Sequence, residues 1–545
     1  MAYKRLIKAN DSSNSRRKFL EKFGTGSLLV GLGSTGFASG TIENTSGKMV
    51  RDVYAFGAKG DGKTIDTKAI QSAVDDCFKS GGGKVVLHNG TFVSGTIILK
   101  DNVNLHVEAG ATLLGSPNLK DYPDITPKIL YQYTHRFTRY LIYADGANHI
   151  SITGRGTIDG QGRAFPYVRD DDKGRPYIIR FAECKNVTVR DITFLDSARW
   201  LQHYLACENV TVDGITVVAR TRENRDGIDI DSCDNFRISN SYIDSGDDAI
   251  VLKATAMRPC KNVTVTNCHL RSLASTLKLG TESNGGFENI LFTCCSIEDA
   301  GDAIALEMVD GGKFENVTVS NIVIQKARSA IFVRLGNRAR PIPGIKAPGP
   351  GSMSNIIIDN IQAVNISNWG CSITGLPEQI VENVSLSNIR IQFNGGGTAE
   401  DAKKVVPEKP EAYPSSSMFG ILPVYGFFCR HVRNLSFHNI NTSFENDDKR
   451  PALHCENIFG LTITDFNARI SKEAISYNIF KDVKEAMIRG CRPSGECHTF
   501  LKITGSGSAN IALFNNDLSM VQQPVEAENP SIDKIKLIGN LTKTI

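Results

Sequence analysis

The chain has 545 residues, 62 Lys+Arg against 58 Asp+Glu, and a hydrophobic content of 41%. That length and apolar fraction can bury a large core and exclude an intrinsically disordered chain. The first 22 residues hold Lys4, Arg5, Lys8, Arg16, Arg17, Lys18 and Lys22 against Asp11 and Glu21, so the rest is close to neutral and carries no basic field for nucleic acid. Forty-nine glycines, two tryptophans and many short Val/Ile/Thr runs point to extended, turn-rich structure rather than a helical bundle.

At the N-terminus, Ser15-Arg16-Arg17-Lys18-Phe19-Leu20 precedes a weakly apolar stretch from Gly26 to Phe37 and then Ala38-Ser39-Gly40. This is the order of a twin-arginine signal peptide, here residues 1–40, which predicts recognition by the Tat export machinery and a periplasmic or secreted protein. The apolar stretch is too short for a stable bilayer anchor, so no membrane anchor is expected after cleavage. Replacing both Arg16 and Arg17 by Lys should strand the protein in the cytoplasm, and undiminished export of that variant would reject the assignment. Further on, Val53 to Gly62 reads as a strand and a glycine turn, and Asp66 to Val74 as a capped helix.

From there an internal repeat dominates. An Asn opening a β-branched run recurs at Asn186, Asn209, Asn235, Asn262, Asn289, Asn316, Asn355, Asn383, Asn434 and Asn457, with three consecutive spacings of 27 residues. A second Asn or Asp follows four or five residues after most of them, as at Asp191, Asp213, Asn240, Asn267, Asn321 and Asn360. Each unit is then three short strands with a polar side chain at the bends. Such a unit cannot bury its own apolar faces, so units must stack. The expected fold is all-β: a single-domain right-handed parallel β-helix over residues 41–545, its first coil covered by the N-terminal helix. Ten or more coils at about 4.8 Å each give a rod about 50 Å long. Cys184, Cys207, Cys233 and Cys260 each precede a corner Asn by two residues, which predicts a buried interior ladder rather than disulfides or a zinc site. Two excursions, residues 336–352 and 395–420, interrupt the repeat and are expected to wall a binding face.

One strand of the repeat differs from the others. Asp226-Gly-Ile-Asp-Ile-Asp, Asp248-Ala-Ile-Val-Leu-Lys, Ser275-Thr-Leu-Lys-Leu-Gly, Asp302-Ala-Ile-Ala-Leu-Glu and Ser329-Ala-Ile-Phe-Val-Arg align in register, the last four 27 residues apart. Their aliphatic third and fifth positions face the core, so Asp229, Asp231, Lys253, Lys278, Glu307 and Arg334 must face outward as a charged wall. At its head stand three carboxylates from adjacent coils: Asp226 in Asn224-Arg225-Asp226-Gly227, and the pair Asp247-Asp248. Like charges this close raise at least one pKa, which suits glycoside hydrolysis by one carboxylic acid and one water-activating carboxylate. Stacked turn-capping aspartates remain the structural alternative.

Asn-x-Asp-Gly-Ile-Asp followed about twenty residues later by Gly-Asp-Asp-Ala-Ile resembles the signature of glycoside hydrolase family 28, the polygalacturonase-like enzymes, over most of residues 50–470. Ser197-Ala-Arg-Trp-Leu-Gln-His203 is similar to the family's Ser-Pro-x-Trp-x-x-His, and Leu279-Gly-Thr-Glu282-Ser to the Ile-Gly-Ser-Glu of bacterial, often exo-acting, members. The resemblance implies an inverting hydrolase on a right-handed β-helix. In it Asp247 would be the general acid and Asp226 and Asp248 would hold the water, while Asn224, Lys253, Lys278, Glu282, Glu307, Arg334, Trp200 and His203 are candidates for substrate binding. Two family motifs are absent: Gly-His-Gly is replaced by Leu273-Ala-Ser-Thr276, and Arg-Ile-Lys aligns with Ala305-Leu306-Glu307. Glu307 would repel a substrate carboxylate unless Lys253, Lys278 or Arg334 supplied the charge. The expected partner is an acidic polysaccharide or oligosaccharide, pectin- or galacturonan-like, rhamnogalacturonan-like or ulvan-like, with a neutral or differently placed acidic sugar as an equal alternative to plain polygalacturonate at that point. Trp200 is either a sugar platform or packing, and His203 either leans on the carboxylates or is structural. A hydrolase of this kind needs no metal or cofactor. A uronate lyase, drawing on Lys253, Lys278 and Arg334, and a non-catalytic glycan-binding β-helix are the competing readings.

Overall fold

The computed structural model describes residues 50–134, 136–166, 174–220, 224–528 and 535–542. The signal segment expected at residues 1–40 lies outside the described residues. Strands pair in parallel throughout the ladder, each with the strand one coil before and one coil after, as a parallel β-helix requires. The start of the solenoid differs in detail from the expectation: the strand is Val50–Asp52, and Val53–Phe56 is a 3-10 turn. Helix α1 (Thr67–Lys79) buries Ile70, Ala73, Val74 and Cys77 against the first coils. Asp66 stands before it but makes no side-chain cap; its carboxylate instead accepts from the amides of Lys59 and Gly60, closing the glycine turn.

The corner asparagines explain the repeat. Asn262, Asn289, Asn316, Asn355 and Asn383 all have left-handed backbone, with φ between 55° and 58°. Asn tolerates that conformation better than most residues, and its amide carries both a donor and an acceptor. The Nδ2 of Asn289 donates to Oδ1 of Asn262, Asn316 to Asn289, Asn355 to Asn316 and Asn383 to Asn355, at 3.0–3.1 Å. Each corner thus passes a hydrogen bond to the next along the axis, and the strand after it drops aliphatic side chains such as Val263, Ile290, Val317, Ile356 and Val384 into one continuous core. Cys184, Cys207, Cys233 and Cys260 are buried and unbridged, as expected; the thiols of the last three donate to the carbonyls of Phe181, Tyr204 and Ile230 on the coil before.

The charged strand forms a ladder of six: β1 (Gln202–Leu205), β2 (Ile228–Asp231), β3 (Ile250–Lys253), β4 (Ser275–Leu279), β5 (Ala300–Met308) and β6 (Ala327–Leu335). Ile228 pairs with Ile250 across a shorter coil, and Ile250 with Leu277, Leu277 with Ile304 and Ile304 with Ile331 in the register read from the 27-residue spacing. Its outward positions are not open to solvent, however. Asp229, Asp231, Lys253, Lys278, Glu307 and Arg334 are all buried, because three loops fold over this face.

The two excursions are held down by buried side chains. Residues 336–351 are tied through Asp310, which accepts from Arg338 and from the Arg340 amide. Residues 396–426 are tied through Asp302, which accepts from the Ser416 amide, and through Arg334, which donates to the carbonyls of Glu408 and Lys409. The third loop, residues 116–139, was not singled out by the repeat pattern. Its Tyr133 hydroxyl donates to Glu282 at 2.7 Å.

Candidate active site

The loops leave one cavity of about 550 Å³ over β1 to β4, within the usual size range of small-ligand sites. Asp226, Asp247, Asp248, Asn224, Lys253, Glu282 and Trp200 line it together. The register puts Asp226 and Asp248 at equivalent places on adjacent coils, the Gly227 amide donating to the Asp248 carbonyl. Asp247 lies on the bend before β3, where the hydroxyls of Ser245 and Ser272 donate to its carbonyl. Its Oδ2 accepts from the Asn224 amide at 2.8 Å and from Asn224 Nδ2 at 3.5 Å, which leaves Oδ1 available for a proton. Asp247 is the most solvent-accessible of the three carboxyls.

The electrostatics divide the three. Asp248 accepts from the Ser275 amide through Oδ1 and is ion-paired through Oδ2 with Lys278 Nζ at 2.9 Å. Burial, reinforced by the charge of Asp248, pushes the Asp247 carboxyl above the ordinary carboxylate range, against the pull of Lys278. Asp226 is raised further by burial and by Asp229 and Asp247, and its Oδ1 has no hydrogen-bond partner. Beneath it Asp229 is pushed up to about 8 by burial, against the pull of Lys253 and of its contact with Asp226. The cluster therefore retains protons at neutral pH, and these belong to the coupled group rather than to one residue.

The cations are spoken for. Lys253 Nζ lies 3.2 Å from Glu282, 3.6 Å from Asp229 and 3.9 Å from Asp226, and 4.4 Å from the Trp200 ring centroid. Burial works against its charge, but Glu282, Asp229 and Asp226 raise its pKa well above the usual value. Glu282 is held below its ordinary value, where Lys253, Arg338 and the Tyr133 hydroxyl outweigh burial. Trp200 also packs edge-on against Tyr133, Tyr177 and His203, so it is at once packing and cavity wall.

Four expected substrate-binding residues do not reach the cavity. Lys278 sits behind Asp248, and Glu307 behind Lys278 at 3.7 Å, pushed up to about 8 by burial. Glu307 therefore does not face a substrate carboxylate, and the repulsion expected from its sequence position does not arise. Arg334 is committed to loop carbonyls. His203 is wholly buried, its Nε2 3.0 Å from Asp231; burial and Arg180 bring its pKa down to about 3. It is a structural histidine.

Sequence reasoning missed Tyr133, Arg136 and Phe137 from the third loop, Arg340 from the first excursion and Tyr413 from the second, all of which line the cavity. The signal for the third loop was present in Tyr131-Gln132-Tyr133-Thr134-His135-Arg136-Phe137-Thr138-Arg139-Tyr140, a run dense in aromatics and cations that lacks strand alternation.

A carboxyl cluster in an aromatic-walled cavity on the flank of a parallel β-helix is an arrangement suited to acid–base cleavage of a glycosidic bond. The chain belongs to glycosyl hydrolases family 28, whose sequence model matches residues 64–411. It is 35% identical over 212 residues to a probable polygalacturonase of Vitis vinifera, covering 36% of this chain and 43% of that one. It is 28% identical over 271 residues to an exo-poly-alpha-D-galacturonosidase of Dickeya chrysanthemi, covering 40% and 44%. The chain thus spans less than half the length of these relatives. A solved hyperthermoactive exopolygalacturonase from Thermotoga maritima superposes with a TM-score of 0.59 at 21% identity, over 72% of this chain and 91% of that one, a likeness of fold.

Proposed function

We propose that the protein is an inverting glycoside hydrolase that cleaves galacturonan from a chain end. The observation that carries the reading is the meeting of Asp226, Asp247 and Asp248 in one loop-walled cavity, with Asp248 tightly paired to Lys278 and the other two raised in pKa. Asp247 protonates the leaving glycosidic oxygen: it is the most accessible of the three, and Asn224 occupies only its Oδ2. Asp248, ion-paired with Lys278, takes the proton of the attacking water, and Asp226, with Oδ1 unpartnered, helps to hold that water. Water attacks on the face opposite the departing oxygen, so the anomeric configuration inverts. The names of the relatives support galacturonan as the substrate class, and the pairing of Lys253 and Lys278 with carboxylates favours a hydrolase over a lyase, which needs a free base.

The three loops favour entry by one chain end. A digest of polygalacturonate followed by NMR and product sizing should show the inverted anomer first and mono- or disaccharide from the earliest times. A retained anomer, an unsaturated product or early long oligosaccharides would each overturn the corresponding part of the reading.

A further inference from the structure

We infer that Arg340, on the loop following β6, is the cation that receives the carboxylate of an acidic sugar, in place of any residue of the strand ladder. This rests on the reading of the substrate as a galacturonan.

A carboxylate entering the cavity is best held by a cation whose charge is not already matched. Lys253 faces Glu282, Asp229 and Asp226; Lys278 faces Asp248 and Glu307. Arg338 is paired with Asp310 and lies 3.8 Å from Glu282. Arg199 and Arg136 line the cavity but lie against ring faces, Arg199 3.4 Å from the Phe137 centroid and Arg136 5.1 Å from the same ring. Arg340 differs. It lines the cavity with an exposed side chain, and its guanidinium makes no hydrogen bond or ion pair among the described residues.

Its backbone, by contrast, is fixed. The Arg340 amide donates to Asp310 Oδ1 at 3.0 Å, and its carbonyl accepts from Asn284 Nδ2 at 2.7 Å; both partners are buried. Pro341 restricts residue 340 to extended backbone, and Ile342 is buried as the next anchor. The Asp310 carboxylate that holds this amide also accepts from Arg338 Nε at 2.9 Å, so one buried acid sets two arginines two residues apart, one toward Glu282 and one at the cavity. A guanidinium on a pre-anchored loop meets a carboxylate in a planar, two-pronged geometry without first ordering the loop.

The test uses the whole protein with tri-α-1,4-galacturonide as the free acid and as its methyl ester. Wild type should prefer the acid, and Arg340→Gln should lower the acid-over-ester ratio of kcat/KM on the order of tenfold, mainly through KM. Arg340→Lys should retain part of the preference, and raised salt should erode it. In the Asp247→Asn background, Arg340→Gln should weaken calorimetric binding of the acid by the same factor. A wild-type ratio near one, or an unchanged ratio in an active Arg340→Gln enzyme, overturns the assignment while leaving the hydrolase reading in place. Failure of the wild type to cleave either trisaccharide removes both.

Discussion

Asp247→Asn should lower turnover on the order of 10²-fold or more, as loss of a positioned general acid does, while substrate still binds. Asparagine keeps the shape of the side chain and can still meet Asn224, so the fold and the cavity should persist. It cannot deliver a proton to the departing oxygen. A substrate with a good leaving group needs little protonation and should recover much of the lost rate; natural galacturonan should not. In the wild type, activity should fall on the alkaline side as the carboxyl cluster loses its protons. The raised pKa of Asp247 moves that limb above the range of an ordinary aspartate. In Asp247→Asn the limb should disappear from the residual rate. Near-normal turnover of the variant, or an unaltered alkaline limb, would remove Asp247 from the acid role.

The second large effect is on stability. Lys253→Met removes the cation that faces Glu282, Asp229 and Asp226 beneath the cavity. Breaking one side of a buried ion pair typically costs about 3–5 kcal/mol, because the partner charge is left uncompensated. The penalty should depend on pH with a definite sign. Without Lys253 the Asp226 and Asp229 carboxyls, already raised by burial, hold protons in the folded state at pH values where the unfolded chain has released them, while Glu282 keeps Arg338 and the Tyr133 hydroxyl. Stability then falls as pH rises above the ordinary carboxylate range, so the gap between variant and wild type widens from pH 5 to pH 8. Urea unfolding at both pH values measures this through the midpoint at constant m. Adding Glu282→Gln should recover part of the loss, since it removes one of the charges that Lys253 faced. Equal midpoints for variant and wild type at pH 8 would show that Lys253 is not the counter-charge of this cluster.

How far each feature was legible depends on the range of its cause. The corner asparagines could be read because their requirement is local: a left-handed bend and an amide that bonds in both directions, repeated every coil. The core followed from alternation, and the 27-residue spacing became strand register because coils of equal length stack side chain over side chain. The meeting of Asp226, Asp247 and Asp248 was legible for the same reason: one motif on each of two consecutive coils must lie one strand spacing apart.

The loops obey no such period. Tyr133 meets Glu282 across 149 residues, Lys278 meets the Tyr413 hydroxyl across 135, and the Ser416 amide meets Asp302 across 114. Those contacts lay loops over an outward charged wall, and Arg334 is drawn to the loop carbonyls of Glu408 and Lys409; Lys253 and Lys278 are matched by carboxylates of the neighbouring coils. The solenoid, its core and its carboxyl head were legible because they repeat on neighbouring coils. Which side chains wall the cavity, Tyr133, Arg340 and Tyr413 among them, could be known from the folded chain alone, because it depends on where three distant loops come to rest.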